Sequence, residues 1–150
     1  MSDGEEMVPV TVRNRRVRET YDRGAGLYAR TIARFEAPSQ RRVLDDLDLS
    51  AGDTVVDVGC GPGRLLPDLA ERVEPTGVVV GVDAAPSMLA QARQRARAAG
   101  VTDRLSLIRG DARRLPVADG GADAVCAFDV LDLFARGDLE TVLAECHRVL

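Results

Sequence analysis

The stretch Val55-Val56-Asp57-Val58-Gly59-Cys60-Gly61-Pro62-Gly63 constrains this chain more than any other. A β-branched run ends near an acid, three glycines follow at alternate positions, and apolar residues resume at helical spacing from Leu65. Glycine has no Cβ, so such a loop turns tightly and its backbone can lie directly against a ligand. A strand feeding a glycine loop feeding a helix is how an α/β protein builds a nucleotide or nucleoside pocket. The spacing here is G-x-G-x-G. The dinucleotide pattern G-x-G-x-x-G needs its third glycine at position 64, where this chain has Arg64. Asp57 separates the two readings further, because a carboxylate at the loop mouth repels a pyrophosphate and welcomes an ammonium group.

Downstream the pattern alternates. Strand one is expected at Thr54–Val58, a helix from Gly63 or Arg64 to Val73, and strand two at Val78–Asp83 after the turn Pro75-Thr76-Gly77. Pro86 suits the first turn of a helix that stops at Gly100. Strand three is expected at Arg104–Arg109 and strand four at Asp123–Phe128. A last helix starts near Gly137, with Leu139, Val142, Leu143, Cys146 and Leu150 on one face. Apolar strands without strict alternation imply a parallel sheet covered on both faces. Upstream, residues 1–12 lack periodicity and read as a mobile tail. Arg13–Arg34 holds helix-like stretches broken by Gly24 and Gly26, and Ser39 is a candidate N-cap for a helix through Val43, Leu44 and Leu47.

Composition narrows the function classes. With 150 residues, 45% of them hydrophobic, the chain is long enough for one core. A net charge of −4 argues against a nucleic-acid partner, which needs a wide basic face. No apolar run approaches the roughly 20 residues of a membrane span, and Met1–Glu6 is too acidic for a secretory signal. Cys60, Cys126 and Cys146 show no C-x-x-C spacing, so they read as small hydrophobic residues in a reducing cytoplasm, with no metal site. Every basic residue is arginine, which fits the codon usage of a GC-rich genome.

The glycine loop resembles motif I of the class I S-adenosylmethionine-dependent methyltransferases, and later residues extend the resemblance. Val78–Asp83 ends in an acid 20 residues past Gly63, where the family's acid accepts from both ribose hydroxyls. Ala84-Ala85-Pro86-Ser87-Met88-Leu89 is similar to the D-x-S-x-x-M-L segment, with Met88 covering the adenine. Gly110-Asp111-Ala112 followed by Leu115-Pro116 matches the G-D-A-x-x-L-P loop, where Asp111 accepts from the adenine amino group. Tyr21-Asp22 followed by Tyr28 is similar to the menaquinone and ubiquinone methyltransferase subgroup. The resemblance runs from about Tyr21 to Leu150 and implies a Rossmann-like, doubly wound α/β sheet of order 3-2-1-4, with residues 13–150 as the core domain.

It implies S-adenosylmethionine as cofactor and in-line methyl transfer to a small-molecule acceptor. The cofactor-binding residues it implies are Tyr21, Asp57, Gly59, Cys60, Gly61, Gly63, Asp83, Ala84, Met88, Gly110, Asp111, Ala112 and Phe128. Asp129 and Asp132, after strand four, are weak catalytic candidates; His147 is a poorer one, since it lies far from these loops in sequence. The family adds three strands beyond strand four, and here the sequence stops at Leu150, so a truncated chain is expected. An uncovered strand-four edge would then aggregate or form a homo-oligomer.

Each role has a structural alternative. Asp57 could accept hydrogen bonds from the loop's own amides, Asp83 could cap a helix, Asp111 could be a surface acid, and Met88 could be core. Two alternative functions remain open: a non-catalytic cofactor-binding or interaction module, and a nicotinamide-dependent dehydrogenase.

Overall fold

The computed structural model describes Arg42 and residues 44–150. The expected tail, the helix-like stretch around Tyr21 and the Ser39 cap lie outside the described residues.

Strand β1 (Thr54–Val58) sits at the centre because it is apolar on both faces. Val55, Val56 and Val58 are fully buried. It pairs in parallel with β2 (Val78–Asp83) on one side and with β4 (Ala124–Cys126) on the other. β2 in turn pairs with β3 (Leu105–Arg109), giving the order β3-β2-β1-β4. Side chains alternate across a strand, and β1 divides them between two cores. Val55 packs with Leu44, Leu66, Leu69, Val79, Leu89 and Ala92. Val56 and Val58 pack on the opposite face with Val82, Leu115 and Val149.

Helix α1 (Leu66–Arg72) begins later than its periodicity predicts. The Gly63 amide closes back on the Cys60 carbonyl at 3.0 Å, so the backbone is still turning where the helix was expected to start. Helix α2 (Pro86–Ala99) runs as expected, from a proline in its first turn to Gly100 in the left-handed region at φ 71°. A 3-10 turn at Thr102–Arg104 shortens β3 by one residue against expectation. β4 is shorter still. Asp123 turns its carboxylate to the Thr54 amide at 2.8 Å, and Asp129 takes φ 53°, which ends extended backbone soon after Phe128.

Helix α3 (Arg136–Val149) buries Val142 and Val149, with Cys146 packed beside them. Leu143 and Leu150, expected on that face, are 50% and 57% exposed. The correction is one of helical phase: Cys146 and Val149 pack into the core that holds Val56 and Val58, and Val142 is the buried position one turn before Cys146. The same helix fastens the long β3–β4 connection. Glu145 accepts from the Leu115 amide at 2.7 Å, and Arg148 donates to the Leu115 and Val117 carbonyls and to Asp119.

Among the described residues, no helix is long and apolar enough to cross a membrane. Leu69, fully buried between α1 and the sheet, is a direct test of this core. Leu69→Ala should cost about 2–5 kcal/mol in urea denaturation with an unchanged slope.

Candidate functional site

β1 is the switch point of the sheet. The chain leaves it outward through β2 and β3, then returns to its other side with β4. A crevice opens at the carboxyl ends of the strands on either side of such a point, and open α/β sheets bind ligands there. The glycine loop lies at this end, and β2 holds it.

The amides of Gly59 and Cys60 both donate to the Val82 carbonyl, at 2.8 and 3.0 Å. The Gly61 amide donates to Asp83 Oδ2 at 2.8 Å. None of these loop amides turns to Asp57, so the structural alternative for that residue does not hold. Asp83 takes it over. Its Oδ1 also accepts the Ala85 amide at 2.8 Å, immediately before α2. One carboxylate thus ties the glycine loop to the start of a helix. The capping alternative for Asp83 is half right, and it leaves room for more. A carboxylate offers about four acceptor positions, and these two amides use one on each oxygen.

The three loop glycines differ in what surrounds them. A Cβ at Gly59 would lie 2.5 Å from the Val130 side chain, so the loop after β4 packs straight onto the glycine backbone. A Cβ at Gly63 would lie 2.8 Å from Ala92 of α2. Gly61, at φ 53°, meets nothing closer than 3.9 Å. Two glycines admit neighbouring elements of the protein, and the third presents bare backbone to open space.

A buried acid and a half-buried one give the site its electrostatics. Asp57 is 3% exposed. Burial, reinforced by the charge of Asp83, pushes its carboxyl up to about 7. Burial also raises Asp83, and its two backbone amides pull the other way. Cys60 is buried between the loop and Gly81, and burial, with both acids nearby, raises its thiol far above the ordinary range.

The G-D-A loop leaves the sheet next to Asp83, since the Gly110 amide donates to the Asp83 carbonyl at 3.1 Å. Asp111 is not a surface acid. Its side chain is 12% exposed and is gripped by Arg113, whose Nη2 lies 2.7 Å from Oδ2. Met88 is buried in the first turn of α2. Ala84 and Ala112 lie half-buried at the ends of β2 and β3. Phe128 packs against the core beside α1 and α2.

Asp129 and Asp132 are exposed in the segment after β4, and His147 is exposed on α3. Among the described residues, no group of His, Cys, Asp and Glu could hold a metal ion. Tyr21 lies outside the described residues. Sequence reasoning missed Val130, Arg113 and Arg95, which donates to the Pro62 carbonyl at 2.8 Å. Nothing in the local sequence marks the first; the other two are arginines among many.

The glycine loop separates two kinds of substitution. Gly63→Ala should lose roughly 1–3 kcal/mol to overpacking against α2, beyond the cost of its left-handed backbone. Gly61→Ala should lose only the left-handed penalty of roughly 1–2 kcal/mol. Thermal denaturation of the two variants distinguishes them.

Asp57 makes a prediction about pH. The native carboxyl keeps its proton up to about 7, whereas the ordinary value is 3.8. Between these values the native state binds more protons than the unfolded chain, so this group destabilises increasingly as pH rises. Asp57→Asn should therefore gain stability relative to wild type between pH 4.5 and pH 8. Urea denaturation at the two pH values measures this, and parallel pH profiles would contradict the burial argument.

The comparisons with known proteins agree with this geometry. The family described as a methyltransferase domain matches residues 55–150, well over half of the chain. The nocamycin O-methyltransferase of Saccharothrix syringae is 40% identical over 134 residues, covering 87% of this chain and 45% of that protein. A demethylmenaquinone methyltransferase of Thermus thermophilus is 40% identical over 111 residues, covering 74% of this chain and 48% of that one. The chain thus spans less than half the length of these two curated relatives. A SAM-dependent methyltransferase structure from Aquifex aeolicus superposes with a TM-score of 0.64 at 27% identity, covering 73% of this chain and 56% of that chain. With the 3-2-1-4 parallel sheet and the motif I loop in place, this chain belongs to the methyltransferase domain family and has the class I S-adenosylmethionine-dependent fold.

Proposed function

We propose that the chain binds S-adenosylmethionine and takes part in transferring its methyl group to a small-molecule acceptor. The observation that carries this reading is the junction of Gly61 and Asp83. Bare backbone at the loop tip lies one hydrogen bond from a carboxylate that keeps acceptor capacity. That combination suits an adenosyl group with no phosphate. Asp83 would accept from the ribose hydroxyls with its remaining lone pairs. Gly61 would let the ligand lie against the main chain. Asp57 would offer a buried negative charge to the ammonium of the amino-acid end, and that cation would in turn favour its ionised form.

The sulfonium supplies an already activated methyl carbon. The protein's task is then alignment and exclusion of water, and positioning of this kind contributes roughly 7–11 kcal/mol to lowering a barrier. Asp129 and Asp132, on the segment after β4, are the side chains proposed to meet the acceptor. Small-molecule acceptors are favoured by the relatives named above and by the acidic net charge of −4, which disfavours nucleic acid. We place the protein in the cytoplasm, where its free thiols, those of Cys60 and Cys126 buried and that of Cys146 half-buried, suit a reducing compartment. Association through the open edge of β4 is the proposed route to a homo-oligomer; among the described residues, only β1 pairs with that strand.

Calorimetry with S-adenosylmethionine, S-adenosylhomocysteine and NAD tests the reading. The two adenosyl ligands should bind and NAD should bind more weakly, since Arg64 replaces the third glycine of the dinucleotide pattern. Asp83→Ala should weaken S-adenosylhomocysteine tenfold or more, because hydrogen bonds to a charged acceptor contribute about 1.5–3 kcal/mol each. Tighter binding of NAD, or an unchanged Kd in folded Asp83→Ala, would overturn the assignment. Binding without methyl transfer would favour a cofactor-binding module.

A further inference from the structure

The contact that the proposed function leaves unused is the one between Asp111 and Arg113. Its geometry is a closed fork. Arg113 Nε lies 3.1 and 3.2 Å from the two oxygens of Asp111, and Nη2 lies 2.7 Å from Oδ2. The Arg113 amide adds a third donor, at 2.9 Å from Oδ1. Both side chains are well buried, at 14% and 12% exposure. The other end of the guanidinium reaches α3, where Nη1 lies 3.4 Å from Asp138 in the first helical turn. Asp111 is therefore fixed from two directions, by its own loop and by the helix that follows β4.

We propose that Arg113 is a positioning residue for nucleobase recognition: forked onto Asp111 and anchored by Asp138, it fixes the carboxylate that distinguishes a 6-amino purine from a 6-oxo purine. This rests on reading the site as one for an adenosyl group, with Asp111 beside the base. A short acid on a loop has two side-chain torsions, and an exocyclic amine gives it only a narrow direction from which to accept. A planar fork holding both oxygens removes that freedom in a way that a point charge cannot. The donors leave little acceptor capacity on Asp111, so the direction of what remains is set by Arg113.

Charge acts in the same direction. Burial works against the ionised form of Asp111, and the hydrogen bonds and charge of Arg113 outweigh it, holding the carboxyl below its ordinary range. An acceptor-only group results, which favours N6–H and repels O6.

The test compares S-adenosylhomocysteine with S-inosylhomocysteine by calorimetry on the whole chain. Wild type should prefer the adenosyl ligand by about tenfold or more. In Arg113→Met the adenosyl ligand should weaken about tenfold while the inosyl ligand changes little, so the preference collapses. Equal weakening of both ligands would mean that Arg113 serves only the fold, and an undiminished preference would mean that Asp111 needs no positioning; either result overturns the proposal. If wild type binds neither ligand, the adenosyl reading of the site fails first, and this outcome is distinct from the other two. Should Arg113→Met not fold, Arg113→Lys takes its place. A single ammonium cannot fork both oxygens, so the preference should fall about threefold; a folded Lys variant with the wild-type preference overturns the proposal equally.

Discussion

The carboxyl end of β2 holds the site together. There the Val82 carbonyl accepts two loop amides and Asp83 accepts a third. A glycine-rich loop has the greatest conformational entropy to lose on ordering, and these three bonds, supplied by the neighbouring strand, hold it in one shape. Val130, in the segment after β4, packs on Gly59. The loop is thus built between its two neighbours, and only its tip is left bare.

This arrangement sets two acids at odds. The Gly61 and Ala85 amides favour the ionised form of Asp83 against its burial, while Asp57 lies buried close enough to feel that charge. A buried carboxylate without compensation is costly, and here the cost falls on Asp57, which keeps its proton well above the ordinary range. In the proposed function, the ammonium of the ligand would offset that cost by favouring the ionised form of Asp57.

Much of this was legible from residue order. The strand–loop–helix unit was legible from spacing, because backbone geometry fixes where the glycines must fall; the acid ending β2 and the G-D-A loop were legible through the family resemblance. Helix α2 was legible at both ends from Pro86 and Gly100. The partners of those residues were not. Nothing local says that the loop amides choose the Val82 carbonyl over Asp57, since that choice depends on the β1–β2 register. The phase of α3 was misread because Leu143 and Leu150 are as apolar as Val142 and Val149; only packing on the sheet decides which pair is covered. Arg113 was invisible for a similar reason. In a chain whose basic residues are all arginine, composition gives no sign of which one is engaged.

The position of Cys60 has a kinetic consequence. Its sulfur lies against the backbone of Gly81, 3.1 Å from where a Cβ would stand, and it is 7% exposed within the very loop that β2 secures. The thiolate is the reactive form, and here both burial and negative surroundings suppress it. Alkylation of this thiol therefore has to wait for the loop to lift from β2. Its labelling rate becomes a clock for that opening, native to the sequence and needing no attached probe, and whatever fastens the loop slows the clock.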